Sequence, residues 1–304
     1  MLKLIIVPVD GSPFGEQALS TAVRVAELHG ATLELVHVHV TLPPWRTQNA
    51  PVLDPAFDFR VRKDREEYLD GVATKLRTKT HAPVIATTLT SESVSRMLGE
   101  HIAERGADLV VMATHGTGGL SPTWLGSVAN DLVRRSTAPV LLVRPDQSDS
   151  HAFRGAIQRV LVPLDGLPEA ELVIRYALDV AGPGTTLVLL QVVVPVAFLG
   201  PDAAAFSVAD GAELEERAAS HLETVADQVR ARGFGAEIRV VRHAQPARAI
   251  LDTAADVRAD LIAMATHGRK GIERLVLGSV ADKVIRGSPL PVLLYRPTES
   301  ATVA

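Results

Sequence analysis

Two short constellations in this 304-residue chain have the residue types and spacing that suit an anionic ligand. The first is Ala113-Thr114-His115-Gly116, followed after nine residues by Gly126-Ser127-Val128. It recurs as Ala265-Thr266-His267-Gly268, then nine residues, then Gly278-Ser279-Val280. Amides at a helix start, beside the positive end of the helix dipole, favour phosphate. Small residues let the backbone approach the anion, and Ser127 or Ser279 adds a hydroxyl. Four charge-assisted bonds of about 1.5 kcal/mol each amount to dissociation in roughly the tens of micromolar before any other contact. The competing reading is a structural strand–loop–helix turn with the serine as N-cap. The second constellation is Pro8-Val9-Asp10-Gly11, repeated as Pro163-Leu164-Asp165-Gly166. A carboxylate there can meet a ribose hydroxyl or a metal, or it can serve as a turn or cap residue for the next helix.

Such corners need elements to hold them, and an internal repeat supplies the plan. Asp108 to Pro145 and Asp260 to Pro297 align without gaps, and 21 of their 38 positions are identical. Leu4 to Gly11 and Val160 to Gly166 match as well. The chain is therefore expected to hold two copies of one domain, at 1–146 and 159–300, joined by a polar linker at 147–158. In copy one, short apolar runs predict strands at Leu2–Val9, Thr32–Val40, Pro83–Leu89, Asp108–Thr114 and Pro139–Arg144. Helices are expected at Phe14–His29, Asp58–Lys79, Ser91–Arg105 and Gly126–Arg135, and copy two follows the same order. Alternating strands and helices predict an α/β fold. Each domain should be a doubly wound, parallel, five-stranded sheet with helices on both faces, and Rossmann-like. Ligands in such folds bind beyond the strand carboxyl ends, where the strand order switches. Both constellations fall there.

Composition removes several classes of chemistry. With no cysteine there are no disulfides, thiolate nucleophiles or Cys-based metal sites. A net charge of −4 argues against nucleic acid as partner. Met1–Val9 is apolar but stops at Asp10-Gly11, and Leu187–Leu199 is too short to cross a bilayer. The expectation is a soluble, cytoplasmic protein that binds no membrane. Neither a dinucleotide fingerprint nor a P-loop is present. His37 and His39 share a strand face, as a metal pair or, in the favoured reading, as exposed or capping residues. The charged run Arg60–Arg77 reads as a solvated helix face, and no catalytic residue is assigned.

The paired motifs resemble those of the universal stress protein family, in its tandem two-domain form. Nucleotide-binding members carry Gly-x2-Gly-x9-Gly-(Ser/Thr) after the fourth strand and Pro-x-Asp after the first. The resemblance spans essentially the whole chain and implies an adenine nucleotide alpha hydrolase-like fold that binds ATP, with Mg carried on the nucleotide. It implies that Val9 and Asp10 face the adenosine, Val38 flanks the adenine, and Met112 and Ala113 line the pocket floor. His115, Gly116, Gly126, Ser127 and Val128 then surround the phosphates. The corresponding residues of copy two are Leu164, Asp165, Val192, Met264, Ala265, His267, Gly268, Gly278, Ser279 and Val280. The resemblance further implies a regulatory, stress-response protein with little turnover, its two domains forming a pseudo-dimer through their fifth strands, with a further homodimer open to it. Slow ATP hydrolysis or self-phosphorylation, and a nucleotide-free interaction or chaperone-like module, are the alternatives. One departure stands out: the first glycine of the motif is alanine, at Ala113 and Ala265. If that position requires positive φ, the strain is about 1–2 kcal/mol.

Overall fold

A computed structural model describes residues 1–41, 55–114, 125–144, 156–195, 211–266 and 277–297. The chain divides into two compact units, Met1–Arg154 and Gly155–Ala304. Unit 1 contains, in order, β1 (Leu4–Pro8), α1 (Pro13–Glu16), α2 (Ala18–His29), β2 (Thr32–Val40), α3 (Pro55–Arg77), β3 (Val84–Ser91), α4 (Val94–Arg105), β4 (Leu109–Ala113), α5 (Ser127–Arg135) and β5 (Val140–Val143). Unit 2 repeats them as β6 (Arg159–Leu164), α6 (Pro168–Glu171), α7 (Val173–Ala181), β7 (Thr186–Val193), α8 (Gly211–Ala231), β8 (Gly235–Arg242), α9 (Pro246–Asp256), β9 (Leu261–Ala265), α10 (Ser279–Gly287) and β10 (Val292–Tyr295).

Within unit 1 the strand order is β3-β2-β1-β4-β5, and every neighbour is parallel. Unit 2 has the equivalent order β8-β7-β6-β9-β10, again parallel. This is the doubly wound α/β sheet that the sequence pattern predicts. The order switches direction between β1 and β4, and between β6 and β9, so a crevice opens at those strand ends. Alternation along β2 shows helices on both faces. Glu34 reaches His101 and Arg105 of α4, whereas His39, five residues on, reaches Asp58 of α3. The central strands are buried on both faces, and Ile5, Ile6, Val7, Val110 and Val111 have no exposed surface.

One aspartate in each unit ties the sheet together at the opposite end from the crevice. Asp108 Oδ2 accepts the amides of Lys3 and Leu4 at 2.6 and 2.9 Å. Asp260 Oδ2 accepts those of Gln158 and Arg159 at 2.8 and 2.9 Å. Each carboxylate locks the start of the first strand to the start of the fourth.

Some boundaries depart from the sequence reading. The helix expected over Phe14–His29 is two helices, because Ser12 caps a single turn that tightens at Gln17, whose amide returns to Phe14. α3 starts at Pro55, three residues before the expected Asp58. Proline suits the first position of a helix, where its missing N–H has no partner to lose. β3 runs on to Ser91, because all eight of its residues pair with β2. Among the described residues no helix is long and apolar enough to cross a membrane.

Candidate functional site

The β1 end is built as a tight turn. Val9 donates its amide to Val36 at 2.9 Å, which holds the chain beside β2. Asp10 Oδ1 then accepts the amide of Ser12 at 3.0 Å and its hydroxyl at 2.6 Å. Ser12 Oγ in turn accepts the Gly15 amide at 3.0 Å, capping α1. Gly11 lies between them at φ +83°, a backbone region that favours glycine. One oxygen of Asp10 thus fills the turn role that the sequence allowed. In unit 2, Asp165 Oδ1 accepts the Leu167 amide at 3.1 Å, and Gly166 also has φ +83°. Leu167 has no hydroxyl, so α6 lacks a side-chain cap.

The β4 end is built as a corner. Thr114 donates its amide to Val143 of β5 at 2.9 Å. Its carbonyl accepts the amide of Gly126 at 2.9 Å, so the segment between them starts and finishes at one hydrogen bond. Gly126 is the N-cap of α5 and Ser127 its first helical residue, so the serine does not cap the helix. The intrahelical ladder begins with the Asn130 amide on Gly126, at 2.9 Å. The amides of Ser127, Val128 and Ala129 precede that ladder and have no partner in it. Unit 2 repeats each bond. Thr266 donates to Tyr295, Gly278 to Thr266, and Asp282 to Gly278, all at 2.9 Å. The Gly126 and Gly278 amides are therefore occupied, and each corner leaves three amides outside the ladder, with a serine hydroxyl beside them.

The sheet register joins the two spots. Ile5 and Ile6 lie opposite Leu109 and Val110, which carries Val9 to the level of Ala113. Val160 and Leu161 lie opposite Leu261 and Ile262, which carries Leu164 to the level of Ala265. Asp10 and Thr114 thus leave adjacent strands side by side, as do Asp165 and Thr266. Met112, Ala113, Met264 and Ala265 are buried at the strand ends, and Ser127 and Ser279 are exposed. Val128 and Val280 are partly exposed in the first turns of their helices. Val38 and Val192 stand level with the two aspartates on the neighbouring strands, because Pro8 lies opposite Val36 and Leu164 opposite Gln191, which carries Asp10 to Val38 and Asp165 to Val192. Val38 is buried opposite Leu89 with two residues of β2 still to come, and Val192 lies opposite Val241. His115, Gly116, His267 and Gly268 lie outside the described residues.

The alanine departure has a clear backbone answer. Ala113 ends β4 opposite Val143, and Ala265 ends β9 opposite Tyr295. Arg258 is the sole non-glycine residue with positive φ among the described residues. Neither alanine is strained.

Other residues at the unit 1 edge escaped the sequence reading. Of the exposed or capping roles expected for His37 and His39, exposure is not found, because both are buried under α3. His37 Nδ1 donates to the Val9 carbonyl at 2.9 Å. Burial, with the nearby charges of Arg65 and His39, lowers the His37 pKa despite that bond and Asp10, so the ring is neutral at pH 7. His39 Nε2 lies 2.9 Å from Asp58 Oδ1. Tyr68 donates to Glu16 Oε1 at 2.6 Å, and burial together with that carboxylate raises its pKa, so the phenol stays a donor. Arg65, also on α3, stands against the Asp10–Gly11 turn. A comparison of α3 with α8 at matched positions is the one sequence signal that could have singled it out.

The geometry is therefore a glycine-capped helix start beside a carboxylate turn, twice over, at the switch point of a doubly wound sheet. The sequence matches the model for the universal stress protein family over residues 1–144 and again over 156–296. The chain belongs to the universal stress protein family. It is 31% identical over 300 residues to a universal stress protein of Mycolicibacterium smegmatis, covering 96% of this chain and 97% of that one. It is 28% identical over 303 residues to a universal stress protein of Mycobacterium tuberculosis, with 96% of each chain covered. Among solved structures, a universal stress protein from Archaeoglobus fulgidus has the same fold. The TM-score is 0.68 at 20% identity, over 98% of this chain and 97% of that one.

Proposed function

We propose that each unit of this universal stress protein binds an adenine nucleotide across the ends of its first and fourth strands, with ATP as the ligand and magnesium arriving on its phosphates. The observation that supports this reading is the glycine-capped helix start, made identically in both units. Gly126 has φ −57° and ψ 150°, and Gly278 has φ −56° and ψ 140°, a backbone that any residue adopts. What glycine contributes there is the missing side chain. With no Cβ on that glycine, three amides and the neighbouring serine hydroxyl would meet an approaching phosphate, and the helix dipole adds its positive end. Asp10 and Asp165 leave the neighbouring strand, about 4.8 Å away, where a carboxylate would accept ribose hydroxyls.

We read the site as a binding switch with little turnover, in which occupancy stabilises one conformation and so regulates a partner. Thermal unfolding tests it. Ligand at 100 times its dissociation constant adds about 2.7 kcal/mol to the folded state. Mg·ATP at millimolar concentration should therefore raise the melting temperature by several degrees. No shift with ATP, ADP or AMP would overturn the reading.

A further inference from the structure

Among the described residues, the turn after the first strand meets an arginine in unit 1 and none at the matched place in unit 2. A Cβ on Gly11 would lie 2.6 Å from Arg65 Nη1 and 3.7 Å from its Cζ, so the guanidinium rests directly on the Asp10–Gly11 turn. Tyr68, one helical turn along α3, flanks the same glycine, with its Cε1 at 3.8 Å from that point. The charges of Arg65 and Asp10 both act on the His37 ring and on the Tyr68 phenol, which makes them one cluster.

Unit 2 keeps the frame, but among the described residues α8 has no cation at the matched place. There His221 takes the place of Tyr68, with Nε2 3.0 Å from Glu171, the counterpart of Glu16. That match sets α3 against α8 and puts Ala218, a buried methyl, where Arg65 stands.

A free ribose hydroxyl needs only an acceptor, and both aspartates supply one. A phosphate on the ribose 2′ or 3′ oxygen meets the same carboxylate as a like charge, and binds only where a cation offsets it. A guanidinium is suited to this, because its planar fork matches phosphate oxygens. Dinucleotide folds divide in the same way, with an acid for the free hydroxyl and an arginine for the ribose phosphate. We propose that unit 1 accepts adenine nucleotides bearing a second phosphate on the ribose, that Arg65 reads this phosphate, and that unit 2 rejects them. This rests on the nucleotide reading of the site, which the following experiment tests separately.

Calorimetric titration of the full chain isolates each site by disabling the other. Ser279→Glu leaves unit 1 and Ser127→Glu leaves unit 2. Both residues are exposed, and an acidic side chain is tolerated in the first turn of a helix. The probes are AMP and adenosine 3′,5′-bisphosphate, with adenosine 2′,5′-bisphosphate in parallel. Unit 1 should bind one of the bisphosphates at least tenfold more tightly than AMP, and unit 2 should show the reverse order. Arg65→Ala should lower the bisphosphate-to-AMP affinity ratio of unit 1 at least tenfold, and Arg65→Lys should restore part of it. Arg65 is exposed, so the fold survives either change. AMP binding with the same ratio in the Arg65→Ala variant overturns the role of Arg65 and leaves the nucleotide reading standing. Failure of AMP, ATP and both bisphosphates to bind overturns both.

Discussion

The amide of Gly126 donates to the carbonyl of Thr114 at 2.9 Å, and this bond fixes where α5 begins. It pinches the chain at the carboxyl end of β4, so the next three amides emerge at a set place beside Asp10. Gly278 and Thr266 make the same bond at the same length in unit 2. The site is thus a product of sheet order: β1 and β4 are neighbours, and the chain leaves them in opposite directions.

Ala113 should tolerate its methyl better than a glycine. Its backbone is that of an ordinary strand residue, so Ala113→Gly relieves no strain and adds freedom to the unfolded chain. The expected loss is about 0.5–1 kcal/mol, read from the urea midpoint, and nucleotide affinity should not rise.

Gly15 should tolerate no methyl. A Cβ there would lie 2.6 Å from Asp10 Oδ1 and 3.4 Å from Ser12 Oγ. Gly15→Ala should push the Asp10 carboxylate out of its turn and lower stability by about 1–3 kcal/mol. Nucleotide affinity in unit 1 should fall with it, while unit 2, which already carries Ala170 at the matching place, keeps its own.

Asp108 and Asp260 should matter equally to their units. Replacing either by alanine strands two backbone amides at a strand start, at a cost of about 2 kcal/mol. For units of this size that is roughly 4–8 °C in melting temperature, with the partner unit unaffected on a calorimetric trace.

Unit 1 should be the more acid-sensitive half. Glu34 is 1% exposed. It accepts bonds from Thr87 at 2.8 Å, His101 at 2.9 Å and Arg105 at 3.1 Å. Burial pushes its pKa up, but those three bonds outweigh burial and hold it below the ordinary value. A depressed carboxylate stabilises the fold above its unfolded pKa, about 4.3. That stability is lost as pH falls through the lower folded value. The matching position in β7 is Val188, fully buried and uncharged. Glu34→Gln should cost about 2 kcal/mol at pH 7 and flatten the acid limb of unit 1 in urea midpoints taken from pH 3 to 7.

Much of this was legible in the sequence, for identifiable reasons. The strands around Val7 and Val111 announced themselves because doubly buried strands are apolar without interruption. The duplication gave the domain plan. The corners were legible because glycine and serine at fixed spacing recur in both copies. The break at Gln17 was not, because the helical face of apolar residues runs through it without a change of period. The burial of His37 and His39 was hidden because Val9, Asp58 and the cover of α3 are distant in sequence. Arg65 was lost within a charged helix face, where a side chain that reaches a turn looks like one that reaches water. Asp108 passed as the opening residue of a strand, although its repetition as Asp260 was in view.

The central claim is that two glycine-serine corners each take a nucleotide phosphate. Calorimetric titration of Mg·ATP into the full chain tests this most directly. Two binding events per chain are expected, with Ser127→Glu and Ser279→Glu each removing one and the double variant removing both. An unaltered isotherm in the double variant, or no binding of ATP at millimolar concentration, would contradict it.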